Sequence, residues 1–498
     1  MVALRLKQPQ ELESSLEQKD SRLLPTPFSY GAVPVSRILS NDCRLDASSY
    51  NMDVMNALST VSHCIYGTIP MKYLFKNAFV GSRFKRVYTD NPSDIPFFLP
   101  SDIEDVYPKA TKYISGKTKA DIDFLRVEKD MLLMTCSGTI GKTSLVGTKL
   151  EHQVFSHDLL RITFKNDFDL GYIYAFFNTK VGQTILQSNN YGAVIDHIEP
   201  EHLYNIPIPN APEETRKKIH EFIVDSYGLR DKSNELIDSA QSILYEELQL
   251  PDFNSIRDSV NEEGFCNFSQ KASELHGRLD VYYHLPISSR AISAISKNAK
   301  EVARIGDSRI SKRVILAGVF KRTYVDKKNG VPFLGGREIM TLNPIVDKYL
   351  SIKIHQERIQ KELEVFENYI LVSDRGTIGK VQIVPRHWNG WTVSQNIIKI
   401  VPANDDIAGY IYAYLNCDYA KILIQRETYG AVVDMIDDNN VSSIPIPVLK
   451  NGNKQKEIND LVLEANVLRY HAYQKEQEAI SMMNDIINNS NQQLNCYD

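Results

Sequence analysis

The chain has no Pro-Pro dipeptide and no two glycines in GxG spacing, although it holds 21 prolines and 24 glycines. Amino-methyltransferases need an Asn/Asp-Pro-Pro-aromatic loop for the flipped base and a glycine-rich turn for the methyl donor, so these absences argue against methyl transfer by this chain. Cysteine is sparse. Cys43, Cys64, Cys136, Cys266, Cys417 and Cys496 are scattered, with no CxxC pair and no histidine at ligand spacing, which speaks against structural zinc and against a disulfide framework. HEFIV at His220 lacks the second histidine of HExxH. No apolar run reaches the length of a membrane span, and MVALRLKQPQELESS lacks the core of a signal peptide, so a soluble cytoplasmic protein with no membrane partner is expected. Excess positive charge is missing too: the net charge is −5. Proteins that coat nucleic acid without specificity are usually basic, so any DNA contact here should be local.

What is present is a duplication. GTIGK occurs at Gly138–Lys142 and Gly376–Lys380, an offset of 376 − 138 = 238. The same offset relates GYIYA (171–175 and 409–413), YGAV (191–194 and 429–432) and IPIP (206–209 and 444–447). Without gaps, residues 138–209 and 376–447 share 27 identities in 72 positions. Upstream the offset falls to 236 for FKRVY against FKRTY (84–88, 320–324), IPFFL against VPFLG, and KYIS against KYLS (112–115, 348–351). It is 234 for RLD (44–46, 278–280). Each unit runs to about 170 residues, enough for a self-sufficient domain. Between KYIS or KYLS and GTIGK the copies share almost nothing. Turns and ends are kept while the surface between them differs, which suits one scaffold presenting two different faces.

Within a unit, LLMTCSGTIGKTSLVG predicts strand, tight turn, strand, with Gly138 and Gly141 supplying the turn. LGYIYAFFNTKVGQTILQ has helical spacing of apolar residues. The prolines of IPIP permit only a short extended piece. The unit is therefore mixed α/β with a small irregular sheet. CSGTIGKTS nearly fits the phosphate loop GxxxxGK[ST], but the second copy has Asp374 for the first glycine and Val381 for the hydroxyl residue, so no nucleotide site is expected. The GTIGK loop is better read as a turn carrying an exposed lysine.

After each IPIP comes a long charged stretch without proline. Ile458, Leu461, Ala465, Leu468, Ala472, Ala479, Met482 and Ile486 fall on steps of three and four, with Lys475 the lapse. Ile219, Phe222, Leu229, Leu236, Ala240 and Ile243 do the same, with Ser226 and Ser233 interrupting. This heptad pattern predicts two arms that pair with each other; amphipathic helices lying on their own modules are the alternative. The expected organisation is a leader (1–40), a module (41–212), an arm (213–250), a linker (251–275), a second module (276–450), a second arm (451–490) and a tail (491–498).

Basic-aromatic clusters supply the candidate contacts. Arg83, Lys85, Arg86 and Tyr88, beside Phe84, and Lys321, Arg322 and Tyr324, beside Phe320, could place phosphate-gripping cations next to packing aromatics. Lys142, Lys380 and Arg375 are candidates on the turns, the arginine being suited to guanine. A solvated strand end explains any single member equally well; repetition favours the clusters. Asp196 and Asp434, after YGAV, read as turn caps.

The order RLD with a nearby tyrosine (Arg44–Tyr50, Arg278–Tyr283), GTIGK, YGA, then IPIP leading into a long helix, made twice, resembles the specificity (S) subunits of type I restriction–modification systems. The resemblance covers residues 40–490. It implies a mixed α/β fold of two tandem target-recognition domains, each followed by a long helix, the helices pairing as an antiparallel coiled coil. It also implies a non-catalytic subunit that reads double-stranded DNA as a bipartite site, with the coil as spacer. Two modification subunits would dock on the arms and bring S-adenosylmethionine, and a restriction/translocase subunit would add cleavage; no cofactor is expected in this chain. A protein-interaction scaffold without sequence-specific DNA binding, the specificity subunit of a bipartite type II system, and an enzyme with cryptic nuclease carboxylates are the competing readings.

Overall fold

A computed structural model describes residues 33–40, 51–89, 91, 93–188, 197–262, 268–275, 277–430 and 433–489. The chain divides into two units, 1–56 and 57–498. The first contributes the helix Val35–Ser40 and the start of the helix Met52–Ser62. Arg44–Asp46 and Tyr191–Asp196 of the sequence motifs lie outside the described residues.

The second unit contains the duplication. In the first module, β1 (Thr68–Pro70), β2 (Phe75–Val80), β3 (Tyr88–Thr89), β4 (Ile95–Phe98), β5 (Lys112–Ile114), β6 (Leu132–Thr135), β7 (Thr143–Leu145), β8 (Val154–Phe155), β9 (Leu159–Phe164) and β10 (Pro207–Pro209) build three sheets. Their orders are β2-β9-β6-β7, β3-β5-β4-β8 and the pair β1-β10. The second module repeats this strand for strand. It has β11 (Glu301–Arg304), β12 (Ser311–Leu316), β13 (Tyr324–Val325), β14 (Gly330–Leu334), β15 (Tyr349–Ser351), β16 (Ile370–Ser373), β17 (Val381–Ile383), β18 (Thr392–Val393), β19 (Ile397–Pro402) and β20 (Pro445–Val448). Their orders are β12-β19-β16-β17, β13-β15-β14-β18 and β11-β20. Each strand thus has its counterpart ten places on.

The shared motifs are kept because they touch one another. In GYIYA, Tyr172 Oη donates to Pro209 O at 2.8 Å and Tyr410 Oη to Pro447 O at 2.7 Å, tying that helix to IPIP in each copy. Gly171 N donates to His220 Nδ1, and Gly409 N to Asn459 Oδ1, both on the arms. A Cβ at Gly409 would lie 2.3 Å from Asn459 O, and one at Gly171 2.7 Å from His220 Cα, so only glycine lets the helix lie this close. In GTIGK, Gly138, Gly141, Gly376 and Gly379 all have φ between +74° and +82°, the left-handed region that glycine enters without strain. The expected strand-turn-strand is there: β6 pairs with β7 and β16 with β17, antiparallel.

The arms are helices Glu213–Leu248 and Gly452–Asn488, each about 54 Å long at 1.5 Å per residue. They pack against each other antiparallel and weld the modules together. Ile219 and Ile223 of the first arm share the first module's core with Ala479, Met483 and Ile486 of the second. Ile237, Ala240 and Leu244 share the second module's core with Ile458, Val462 and Ala465.

Two expectations need correction. The seam between the arms runs Ile219, Ile223, Ser226, Arg230, Ser233, Ile237, Ala240, Leu244 against Ile458, Val462, Ala465, Arg469, Ala472, Glu476, Ala479, Met483, Ile486; all are buried except Arg230, which is half-buried. The steps are four then three, not three then four. Phe222, Leu229, Leu236, Ile243, Leu461, Leu468 and Met482 stand one position off the seam and are half-buried. Most of them serve other packing: Phe222 and Met482 lie against the first module's core, Leu236, Ile243 and Leu461 against the second's. An arm covered on several sides carries more than one apolar stripe, and the bulkier one is not the seam. The stretch expected to be a linker holds a helix, Phe253–Glu262, whose Phe253 and Ile256 join the second module's core.

Candidate nucleic-acid interface

In each module a segment without regular structure crosses from the sheet containing β2 or β12 to the smaller sheet beginning with β3 or β13. These crossings, residues 81–87 and 317–323, are the same length and carry the FKR clusters. Each is anchored by its phenylalanine. Phe84 meets Phe97 edge-on at 6.2 Å and Phe320 meets His355 at 5.3 Å. Arg86 then lies over the Phe97 ring and Arg322 over Phe333, both at 5.5 Å. Tyr88 and Tyr324 pack on the same two rings at 6.2 and 6.0 Å. The structure therefore makes one Arg–Phe–Tyr stack twice.

Around each stack the cations are exposed: Arg83 and Lys85 in the first module, Lys321 and Arg322 in the second. Arg86 is held back, bonding Ser156 Oγ at 2.8 Å and Asp158 Oδ2 at 3.2 Å. His157 lies beside this network. Its imidazole is held below the ordinary range by burial first; Asp158 opposes this, while Arg86 and Arg83 push further down. Lys112, over the Tyr88 ring at 5.2 Å, joins the first cluster and was missed from sequence. The signal was available, since Lys112 and Lys348 open the repeated KYIS and KYLS.

The turn lysines are elsewhere. Lys142 Nζ is 3.2 Å from Glu104, and Lys380 Nζ is 2.8 Å from Asp105, with side chains only 20% and 26% exposed. They are not the exposed lysines the GTIGK turn suggested. Lys380 reaches from the second module into the first, because the turn projects toward a seam between the modules. Arg337 Nη1 donates to Thr139 Oγ1 across the same seam at 3.0 Å. Arg375 keeps an exposed edge but is paired with the buried Asp374 at 2.8 Å. The DNA candidates therefore divide into two stacks on the small sheets and a group at the turns.

RLD acts as a clamp: Arg278 bonds Asp280 with two nitrogens at 2.9 Å and donates to the carbonyls of Glu427 and Thr428. Among the described residues, only Glu128, Glu151 and His152 bring three metal-type ligands together, and His152 already lies 3.0 Å from Glu128. No described helix is long and apolar enough to cross a membrane.

Residues 299–462 match the family model of the type I restriction modification DNA specificity domain. That stretch of the chain is similar to the DNA specificity domain of type I restriction–modification systems. The match covers the second module and the start of its arm; the first module shares 27 identities with the second and repeats its strand orders. No curated protein matches the chain. Three solved structures are similar to it over most of its length. A type I S subunit from M. genitalium has 11% identity over 86% of this chain and 96% of its own, TM-score 0.29. The HsdS subunit from Thermoanaerobacter tengcongensis has 12% over 85% and 96%, TM-score 0.26. A chain from work on complex assembly and conformational transition of the type I R-M system has 13% over 84% and 97%, TM-score 0.26.

Proposed function

We propose that this chain is a specificity subunit of a type I restriction–modification system, that it reads a split DNA site, one module per half-site, and that the paired arms with the inter-module seam hold the readers at a fixed separation across an unread spacer. The carrying observation is the doubled Arg–Phe–Tyr stack: two equivalent, basic, aromatic-backed edges on one rigid frame. Rigid spacing of two readers sets half-site separation. The differing segments between KYIS or KYLS and GTIGK supply different base contacts, while the repeated cations grip phosphates at both ends. In the cytoplasm, two modification subunits carrying S-adenosylmethionine would take their address from this chain, and a restriction/translocase subunit would use the same address for cleavage.

The test is to co-express the chain with a type I modification methyltransferase and map methylated positions across the host genome. A split motif is expected, and exchanging residues 44–210 or 278–448 with those of a relative of different specificity should change one half at a time. A methylation pattern indifferent to both exchanges would defeat the reading and leave a protein scaffold in its place.

A further inference from the structure

The two crossings are alike in length and anchor, yet at one position they differ in kind. β2 ends at Val80 and β12 at Leu316, and the segments that follow are Gly81-Ser82-Arg83-Phe84-Lys85-Arg86 and Ala317-Gly318-Val319-Phe320-Lys321-Arg322. The phenylalanine, lysine and arginine recur. Position 83/319 is a cation in one copy and a hydrocarbon in the other. Val319 is 85% exposed, more than any other large hydrophobic side chain among the described residues. It sits next to the phenylalanine that fixes the crossing and two residues from Lys321. Arg83 is exposed as well and, unlike Arg86, takes no part in the Ser156–Asp158 network.

We infer that position 83/319 is a base-reading position, Arg83 contacting guanine in one half-site and Val319 the methyl group of thymine in the other. The inference rests on the DNA-reading function proposed above. Contacts to the phosphate chain are the same for any sequence, so the residues that make them should be cations in both copies, as Lys85/Lys321 and Arg86/Arg322 are. A residue that turns from guanidinium to isopropyl at an equivalent, exposed point cannot be serving phosphate in both. Guanine presents two acceptors in the major groove that match the guanidinium fork, and thymine presents a methyl group that an apolar side chain covers. Both side chains are short of alternative employment within the protein, and an exposed valine gains from contact with a methyl group by removing apolar surface from water.

The experiment uses the full chain co-expressed with its methyltransferase, carrying Arg83→Val, Val319→Arg or Lys321→Ala, with genome-wide methylation as the readout. Arg83→Val should relax or change one base position in one half-site, and Val319→Arg should turn one position of the other half toward guanine. A good bidentate pair corresponds to roughly five- to 150-fold discrimination. The other half-site and the spacer should not change. Lys321→Ala should lower the extent of methylation without altering the motif. Should either exchange abolish methylation, the purified complex is titrated against duplexes varied one base at a time: loss of preference at one position supports the inference, and uniform loss at all positions assigns the residue to phosphate and overturns it. An unchanged split motif in both variants also overturns it while leaving the two-module reading intact; only the module exchanges defeat that reading.

Discussion

Asp105 and Thr341, which hold the same position in the two copies (341 − 105 = 236), pair with each other across the seam between the modules. They form an antiparallel bridge, beside which Val106 N donates to Met340 O at 2.9 Å. Val106 and its counterpart Leu342 are buried together against Ala472 of the second arm, with Leu229 of the first packed alongside. The chain thus encloses, within one polypeptide, the kind of self-complementary contact that a twofold dimer makes between subunits. The arms are not the only connection between the readers.

This seam should be pH-sensitive through Asp105. Burial raises its carboxyl from 3.8 to about 6, with Lys380 pulling the other way. Because the folded value lies above the unfolded one, the folded state holds the proton more tightly, and stability falls as pH rises from about 3.8 to 6. Lys380→Met removes the opposing charge and raises the carboxyl further, extending the loss upward. Urea midpoints should therefore drop more for Lys380→Met at pH 8 than at pH 5. An equal drop at both values would show that the ion pair is not felt by the fold.

The arms hold a buried ion pair off the expected stripe. Glu476 is 2% exposed and accepts from both Arg230 and Tyr174. Glu476→Ala leaves the Arg230 guanidinium without its counter-ion and should cost about 3–5 kcal/mol. Replacing both residues by well-packed apolar ones should cost much less than the two single changes together. A double-mutant cycle by chemical denaturation checks this, and additive losses would refute the coupling.

Ser226 is the next case. From sequence it interrupts the heptads, yet it is fully buried in the seam and donates to Ala472 O at 2.7 Å. Ser226→Leu, which restores an apolar repeat on paper, should overfill this layer and destabilise by about 1–3 kcal/mol. A gain in thermal stability would mean that the arms are not this close.

DNA binding should separate the lysines by place. Lys321→Ala with Arg322→Ala should weaken binding to all sequences and flatten the dependence of log affinity on log salt by about 2, near 0.9 for each phosphate that is no longer neutralised. Lys142→Ala should leave that slope unchanged, because Lys142 is paired with Glu104. The measurement is a salt titration of the purified complex on a fixed duplex; a matching change for Lys142→Ala would return the turn lysines to the DNA face.

Most of the scaffold was legible because the repeat reports local and short-range demands. The GTIGK turn needs glycine at φ near +75°, and GYIYA and IPIP recur because Tyr172 and Tyr410 bind the proline carbonyls. The small-sheet clusters were legible for the same reason. Lys112 could have been found by following repetition into KYIS. The helix expected over GYIYA was right in kind but is two helices, Phe168–Phe177 and Lys180–Ser188, since Thr179 Oγ1 turns back to Phe176 O and accepts from Gly182 N.

Sequence by itself determined that this protein is one module made twice, where its turns fall, and that each copy ends in a long helix, since those properties depend on residues a few places apart or on direct comparison of the copies. Tertiary structure alone decided which stripe of each arm faces the other, and that Lys380 meets a carboxylate 275 positions away. A stripe's partner and a charge's counter-ion are set by whatever surface folding brings alongside, and neither spacing nor composition carries that distance.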